Sequence, residues 1–479
     1  MRRPRSWFRG IAGVCALALF SGVTAAGVTI GTDAAGAATT DRSTSPSAAV
    51  NPKDCAQAPL AKAKKPVNIV VWDQFQSTNQ DVLQSLTDRF NSSQTAIHVQ
   101  LIQQPNADVY AKFRAGLTTG DLPDLMQVEE VTLQSIIDSG ATVPMQACVN
   151  ATRFSLEDFL PKALGYYTTE GVLRSMPYGV SSPMLFYNKT VFSKAGLDPE
   201  KPPTTLAEVK ADAQRIVASG AAQYGIALRA EPFVMEFLYA KNNQTYVNGA
   251  NGRKSRATKA TFVNSTGTRL FSWWKDMVDS KLMLDTGSDP ANFDNLFAIG
   301  NGKAAMTIDG SGALGPINQV LSSGQFPGAV AGAGVLPGIK AANGVYAGED
   351  SFYLMKRSSP AKRAAAWKYV QFLVATKQQV LLEIQTGYTP TRKSVATDPQ
   401  VVAFWQRSPE YKIPYDQLLA GATTPASSGA VIGPFEPVRE MIRNELTAML
   451  TQGQSVATTL EDAQSKANSL ISDYNARAG

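Results

Sequence analysis

The sequence predicts an α/β protein built on a largely parallel sheet. Short apolar runs typical of buried strands lie at residues 67–72, 97–102 and 125–128. They alternate with segments of helical periodicity at residues 82–90 and 109–117. Such alternation indicates βαβ units, and ligands of parallel sheets bind beyond the carboxyl ends of the strands.

A second α/β lobe is expected to begin near Tyr178. Residues 181–187 suit a strand that crosses between the lobes, and a capping box at residues 205–208 opens a helix. The strand at residues 304–309 is expected to return to the first lobe, and residues 351–355 to cross back again. Later helices are expected at residues 360–374, 376–386, 434–450 and 460–474.

The N-terminal segment has the pattern of an export signal. Four arginines precede an apolar run at residues 11–30, and small residues follow at 35–37. We interpret residues 1–37 as a secretory signal peptide, with an uncleaved membrane anchor as the alternative. Residues 38–66 are rich in Ala, Ser, Thr, Pro and Lys, which favours a disordered spacer.

The net charge and the cysteines of the chain indicate which partners and covalent links to expect. The formal net charge of +6 falls to about +3 without residues 1–37, and no Lys/Arg cluster is interleaved with aromatics. We therefore expect no nucleic-acid partner.

Cys15 follows Val14 rather than a small residue, which argues against lipidation. Cys55 and Cys148 form an even pair in an exported chain, which predicts a disulfide.

Residues 304–315 combine an apolar strand pattern, a Gly/Ser turn and the start of a helix. Such a turn aims free backbone N–H groups beyond the strand. Gly310 to Gly315 also spells G-x-G-x-x-G, but residues 325–348 contain no acidic residue to complete a dinucleotide site. A structural turn and a binding loop for another polar ligand both remain open.

Enzyme classes find little support. His98 is the single histidine, so no histidine-based triad or zinc motif is available. A secreted glycosidase needs only two carboxylates and remains an alternative. We expect no metal and no organic cofactor.

Several short segments carry a family resemblance. They read YNKTVF at residues 187–192, AGL at 195–197, PTTLAE at 203–208, GKAAMT at 302–307 and GYTP at 387–390. In this order they resemble the bacterial extracellular solute-binding proteins of ABC importers, in the maltose- and glycerol-phosphate-binding cluster. GYTP, together with QVEEV at residues 127–131, is most similar to the glycerol-3-phosphate branch.

The resemblance implies a two-lobed periplasmic-binding-protein fold of type II that closes on a ligand between its lobes. We expect residues 67–178 with 309–347 to form lobe 1, and residues 179–308 with 348–479 to form lobe 2. The implied protein is exported, monomeric and not an enzyme. It would deliver a small solute to ABC permease subunits in the membrane. Because this chain contains no Walker A sequence, ATP hydrolysis would occur on partner subunits.

Candidate ligand residues come from two sources. The resemblance implies contact by Tyr110, Glu130, Ser181 or Ser182, Ser311 and Tyr388. The strand ends add Trp72, Asp73, Asp309 and Gly310, and comparison of residues 348–351 with the branch adds Gly348, Glu349 and Asp350. Carboxylates, hydroxyls and backbone N–H groups suit polyol hydroxyls, and aromatic faces suit the C–H side of a sugar. Weaker candidates are Glu231, Phe233 and one of Trp273 and Trp274.

Two departures from the branch bear on the ligand. The branch has an arginine a few residues before a Gly-x-x-Pro-like element, but the corresponding stretch here, residues 431–434, contains no arginine. Residues 348–351 read GEDS where the branch has Gly-Gly-Ala-Ser. Added carboxylates repel a phosphate dianion, and a missing arginine removes its best partner. The sequence therefore favours a carbohydrate or polyol solute, with a glycerophosphodiester or glycerol 3-phosphate as alternatives.

Overall fold

The computed structural model describes residues 50–478 apart from 105–107, 290–292, 323–324, 341–343 and 422. The predicted signal peptide and the start of the predicted spacer lie outside the described residues. The strands in the described part of the chain are β1 (Val67–Asp73), β2 (Ile97–Gln103), β3 (Leu125–Glu129), β4 (Thr142–Val143), β5 (Thr168–Thr169), β6 (Val172–Leu173), β7 (Met176–Ser181), β8 (Pro183–Asn188), β9 (Tyr224–Leu228), β10 (Met283–Asp285), β11 (Ala304–Gly310), β12 (Ala331–Val335) and β13 (Gly348–Met355).

The first sheet has the strand order β2-β1-β3-β13-β4, and β7 also pairs with β13. β1 runs parallel to both β2 and β3, which confirms the predicted parallel core. β13 is antiparallel to β3, β4 and β7. The carboxyl ends of β1, β3 and β7 therefore meet the amino end of β13 at one edge.

The second sheet has the order β10-β9-β11-β8-β12. β9 is parallel to β10 and β11, while β8 is antiparallel to β11 and β12. The chain passes from the first sheet to the second at Ser182, between β7 and β8. These two sheets give the two-lobed α/β fold that the sequence predicts.

The strand pairing differs from the expected lobe division. We expected the strand at 304–309 to lead back to the first lobe, with the boundary at residue 309, but β11 stays in the second sheet through Gly310, paired with β8 and β9. β12 also lies in the second sheet, although residues 309–347 were expected to belong to lobe 1. Gly332 permits this pairing, because a Cβ there would lie 2.4 Å from the Tyr187 ring. β13, assigned to lobe 2, lies inside the first sheet and is buried on both faces.

Helices cover both sheets and complete the C-terminal part. The helix at Leu206–Ser219 begins with the predicted capping box between Thr205 and Glu208. None of the helices in the described ranges combines the length and apolarity that crossing a bilayer requires. The helices are Ala58–Ala61, Ser77–Ser93, Asp108–Thr119, Leu133–Asp138, Met145–Thr152, Pro161–Gly165, Lys189–Lys194, Leu206–Ser219, Pro232–Lys241, Asn248–Asn251, Ser265–Asp279, Asp294–Gly300, Leu314–Ser322, Pro360–Leu373, Thr376–Thr386, Lys393–Ala396, Pro399–Arg407, Ile413–Leu419, Phe435–Thr451 and Val456–Ala478, with 3₁₀ turns at Pro52–Cys55, Glu130–Thr132, Ser311–Ala313, Pro409–Lys412 and Ala426–Ser428.

A disulfide joins Cys55 to Cys148, as the sequence predicts. Both cysteines are fully buried. The segment around Cys55 was expected to be a disordered spacer, but it forms helical turns at Pro52–Cys55 and Ala58–Ala61. The bridge and a 2.6 Å hydrogen bond from Arg363 Nε to the Asp54 carbonyl oxygen explain this order. Composition alone could not reveal those tertiary contacts.

Removing this disulfide should lower the free energy of unfolding by about 2–5 kcal/mol, because it closes a long loop. The two cysteines lie 93 positions apart in the sequence. Urea unfolding with and without a thiol reductant measures the effect, and the double variant C55S/C148S should not respond to reductant. Equal stability of oxidised and reduced wild type would contradict the prediction.

Candidate functional site

The site forms where the strand ends of the first sheet meet the end of β11. Residues from β3, β7 and β13 are brought together there by register: Asp350 pairs with Glu129, and Gly348 pairs with Ser181. From the second sheet, Gly310 ends β11 and lies opposite Pro183. This edge is where a largely parallel sheet is expected to present its ligand-binding groups.

Glu349 lies at the centre of this arrangement. Its backbone N–H donates to Glu130 Oε2 at 2.6 Å, and its carboxylate accepts a hydrogen bond from Ser181 Oγ. A Cβ on Gly310 would lie 2.6 Å from Glu349 Oε1, and one on Gly312 would lie 3.3 Å from Oε2. The glycine turn predicted from residues 304–315 therefore packs directly against this carboxylate.

Glu349 also has an unusual backbone. Its φ is 70°, in the left-handed region that favours glycine, at a register shift between β13 and β7. A non-glycine residue held in a sparsely populated region costs about 1–3 kcal/mol, so the surrounding contacts must maintain it. The Tyr167 hydroxyl, which donates to the Glu349 carbonyl oxygen at 2.9 Å, is one such contact.

Tyr388 supplies the aromatic face of the site. Its ring stacks on Phe75 with centroids 5.2 Å apart. A Cβ on Gly312 would lie 2.9 Å from the Tyr388 ring, and one on Gly179 would lie 2.6 Å from the Phe75 ring. Sequence reasoning missed Phe75, although its position just after β1 places it at the ligand-side edge.

An arginine whose side chain is only 12% exposed contacts three of the acidic residues. Arg439, on the helix Phe435–Thr451, contacts Glu129 at 3.3 Å, Glu130 at 3.5 Å and Glu236 at 2.8 Å. The second arginine of this helix, Arg443, lies 3.4 Å from Glu231. Sequence reasoning looked for a cation only at residues 431–434 and missed both arginines.

The remaining polar candidates form a second group of contacts. Asp309 is bound by Arg229 at 3.3 Å and by Asn295 Nδ2 at 2.9 Å. Ser311 N–H donates to the Ser182 carbonyl oxygen at 3.0 Å. Ser182 Oγ in turn accepts a hydrogen bond from Gln417 at 3.1 Å, which ties it to the helix Ile413–Leu419.

Asp350 and Asp73 are buried in the first sheet beside the site. Asp350 Oδ1 accepts a hydrogen bond from Gln74 Nε2 at 2.9 Å. Burial raises the pKa of Asp350 well above its usual range and that of Asp73 to about 7. Both groups therefore keep their protons, and stay neutral, to a higher pH than an ordinary aspartate.

Trp72, one of the aromatic candidates, lies in a different part of the first sheet. Trp72 lines a separate cavity of about 460 Å³ with Val70 and Ile102, and Lys112 Nζ lies 4.4 Å from its ring centroid. Tyr110 is half-buried, and its ring centroid lies 6.3 Å from that of Phe113. The structure thus does not bring Trp72 to the Glu349 group.

The tryptophan pair was expected to place one ring in the cleft. Trp274 is 1% exposed and belongs to the core. Trp273 Nε1 donates to the Leu206 carbonyl oxygen at 2.9 Å. Trp274 is therefore a core residue, and Trp273 is hydrogen-bonded to the first residue of the helix Leu206–Ser219. Phe233 is half-buried at the start of the helix Pro232–Lys241.

Burial dominates the electrostatics of the site. It raises the pKa of Glu349 to about 7, against opposing hydrogen bonds from Ser181 and Tyr388. It also raises the pKa of Glu130 to about 7, which the nearby Arg439 guanidinium partly counteracts. Within the described residues, no three His, Cys, Asp or Glu side chains are grouped so that they could hold a metal ion.

These raised pKa values predict that the unfolding free energy increases as pH falls from about 8 to about 5. The folded state holds protons on Asp73, Glu130 and Glu349 up to a pH of about 7, whereas the unfolded chain releases them near pH 4. Since the folded state binds more protons in this window, stability must decline as pH rises through it. Urea unfolding at a series of pH values measures the slope.

The variant E349Q should flatten that slope, since Gln does not titrate. The pKa of Asp158 is lowered by hydrogen bonds from Ser394 and by Arg392. Its stabilising contribution is lost only in more acidic solution, so the comparison should stay above pH 5. A wild-type stability that stays flat or falls between pH 7.5 and pH 5.5 would refute the prediction.

Comparison with known protein families identifies the family of this chain. A family profile described as bacterial extracellular solute-binding protein matches residues 85–413, more than half of the chain. This chain is a bacterial extracellular solute-binding protein. Proteins of this family capture small solutes for ABC importers. The match supports the predicted transport role and not the glycosidase alternative.

Relatives of this solute-binding protein are named as periplasmic proteins. This chain is 27% identical over 409 residues to the sn-glycerol-3-phosphate-binding periplasmic protein UgpB of Brucella abortus, covering 84% of this chain and 92% of the relative. It is 26% identical over 421 residues to UgpB of Pectobacterium atrosepticum, covering 86% and 93%. Both alignments span nearly the whole length of the relative.

Solved structures share the fold of this solute-binding protein. The GacH receptor of Streptomyces glaucescens, solved without ligand and with acarbose, gives a TM-score of 0.72 at 22% identity, covering 86% of this chain and 100% of that chain. UgpB of Mycobacterium tuberculosis with glycerophosphocholine gives 0.69 at 21% identity, covering 86% and 99%. At these identities the comparison establishes the two-lobed fold.

Proposed function

We propose that this solute-binding protein captures a carbohydrate or polyol-containing solute outside the cytoplasm and delivers it to an ABC permease. The observation that carries the proposal is the convergence of Glu349, Ser181 and the Gly310–Gly312 turn on the Tyr388 ring. Carboxylate and hydroxyl groups match the hydroxyls of a sugar or polyol, and an aromatic face matches its C–H surface.

The charges of the site favour a neutral or cation-bearing solute over a phosphate monoester. Arg439 already faces Glu129, Glu130 and Glu236, so a phosphate dianion would have to displace carboxylates to reach it. A second candidate ligand is a glycerophosphodiester with a cationic group. The carboxylate of Glu349 favours it, and glycerophosphocholine is bound by the M. tuberculosis protein of the same fold.

The proposal includes the way in which the protein acts. Binding is noncovalent and requires no metal or organic cofactor, and the protein is not an enzyme. It acts as a monomer without a nucleic-acid partner. Hinge closure of the two lobes then presents the loaded form to the permease.

A thermal-shift panel followed by calorimetric titration tests the proposed function. The panel contains maltose, trehalose, glycerol, glycerol 3-phosphate and glycerophosphocholine, with an aryl glycoside as a probe for turnover. A ligand at 100 times its dissociation constant should stabilise the protein by about 2.7 kcal/mol. Absence of saturable binding to every sugar, polyol and phosphodiester, or turnover of the glycoside, would overturn the proposal.

A further inference from the structure

Glu349 occupies a backbone position that glycine would fill without strain. Its φ of 70° lies in the left-handed region, and the register of β13 against β7 shifts at this residue. A carboxylate side chain is therefore held in the site against local backbone preference. Replacement by glycine would remove the carboxylate and relax the backbone together.

The carboxylate lies where three chain segments meet. Ser181 from the end of β7 donates to it, and Gly310 and Gly312 from the turn after β11 leave room for its two oxygens. The Tyr388 ring lies against the same glycine turn. Because the Gly312 turn and the Tyr388 side chain both contact this carboxylate, a ligand group that reaches the turn or the ring also faces Glu349.

Glu349 also differs from its acidic neighbours in the groups that contact its carboxylate. Glu129, Glu130 and Glu236 all contact the Arg439 guanidinium. In the described part of the chain, the Glu349 carboxylate is hydrogen-bonded by the Ser181 hydroxyl and the Tyr388 side chain, neither of them a cation. An ionised carboxylate in this state accepts hydrogen bonds and attracts a positive group, and it repels a phosphate dianion.

We propose that Glu349 determines the specificity of the site, accepting hydroxyl or ammonium groups of the ligand and excluding a phosphate monoester from the same position. This inference rests on the proposed function, since it names which solutes the same site selects. It predicts that loss of the carboxylate changes the ratio of affinities between two ligand classes, rather than lowering all affinities together.

Calorimetric titration of the full-length protein at pH 8 tests this inference. The probes are glycerol 3-phosphate, glycerophosphocholine and the neutral sugar that binds most tightly. In the wild type, glycerol 3-phosphate should bind at least tenfold more weakly than the best of the other probes. E349Q and E349G should each reduce that difference at least tenfold, with an absolute gain in affinity for glycerol 3-phosphate.

The matched control is Glu383→Gln. Glu383 is a buried glutamate whose pKa, like that of Glu349, is raised, but its partner is Trp405 Nε1 at 2.7 Å in a different core cluster. This variant should leave the affinity ratio unchanged. E349G serves as the second test variant if E349Q folds poorly, because glycine suits the left-handed backbone.

Each result separates the inference from the proposed function. An unchanged ratio in both Glu349 variants, or a wild type that binds glycerol 3-phosphate most tightly, would overturn the role of Glu349. If the wild type binds none of the probes, the proposed function fails. In that case a gain of glycerol 3-phosphate binding in E349G still supports the inference, and no gain overturns it.

Discussion

Replacing Arg439 with alanine should lower the free energy of unfolding by about 3–5 kcal/mol at pH 8. The substitution removes the guanidinium that contacts Glu129, Glu130 and Glu236, and a buried pair that loses one partner leaves uncompensated charge. Protonation relieves this penalty, so the loss should be smaller at pH 5.5 than at pH 8. Urea unfolding at the two pH values measures both effects.

Two further arginine variants make the Arg439 result interpretable. Arg407→Ala removes an exposed arginine at the end of the helix Pro399–Arg407 and should change stability by less than about 0.5 kcal/mol. Arg439→Lys keeps the positive charge but loses the forked donor geometry, so its effect should lie between the two. Equal losses for Arg439→Ala at pH 8 and pH 5.5 would show that packing, and not charge, is responsible.

Much of the fold follows from local sequence patterns. The strands β1, β2 and β3 and the helices between them appear where apolar periodicity predicts them. Strand partners are a different matter, because an apolar run suits a buried position in either sheet. β11 and β13 are both almost fully buried, so burial alone could not assign β11 to the second sheet and β13 to the first.

The candidate site was likewise predicted only in part from the sequence. The family resemblance pointed to Glu130 and Ser181, and the departure at residues 348–351 pointed to Glu349; the structure brings these three residues together. Trp72 also lies near a strand end, but the side chains of a strand alternate between faces. Its ring shares a cavity with Val70 on one face of the sheet, and that facing depends on the register of the whole strand.

Arg439 was missed for a different reason. Its acidic partners lie about 200 to 300 residues earlier in the chain, so no spacing rule connects them. A signal was nevertheless present. Arg439 and Arg443 are four residues apart on a helix whose buried residues include Val438 and Ile442. Arginines beside the buried face of an amphipathic helix indicate distant carboxylate partners.

Replacing Tyr388 with alanine should weaken binding of the best ligand at least about 30-fold, which corresponds to about 2 kcal/mol. The ring stacks on Phe75 and covers the Gly312 turn beside Glu349. Its loss would remove the aromatic face proposed for the C–H side of the solute. Titration calorimetry measures the change at a temperature where thermal unfolding shows the variant to be folded.

Two controls distinguish stacking from other roles of Tyr388. Tyr388→Phe keeps the ring and removes only the hydroxyl, so it should retain most of the affinity. Tyr411→Ala truncates a tyrosine of similar burial in the second core cluster and should lower stability without changing affinity. A Tyr388→Ala affinity within threefold of wild type would place the ligand away from this ring. Because Gly312 packs against both Tyr388 and Glu349, such a result would also weaken the case for Glu349 as the specificity residue.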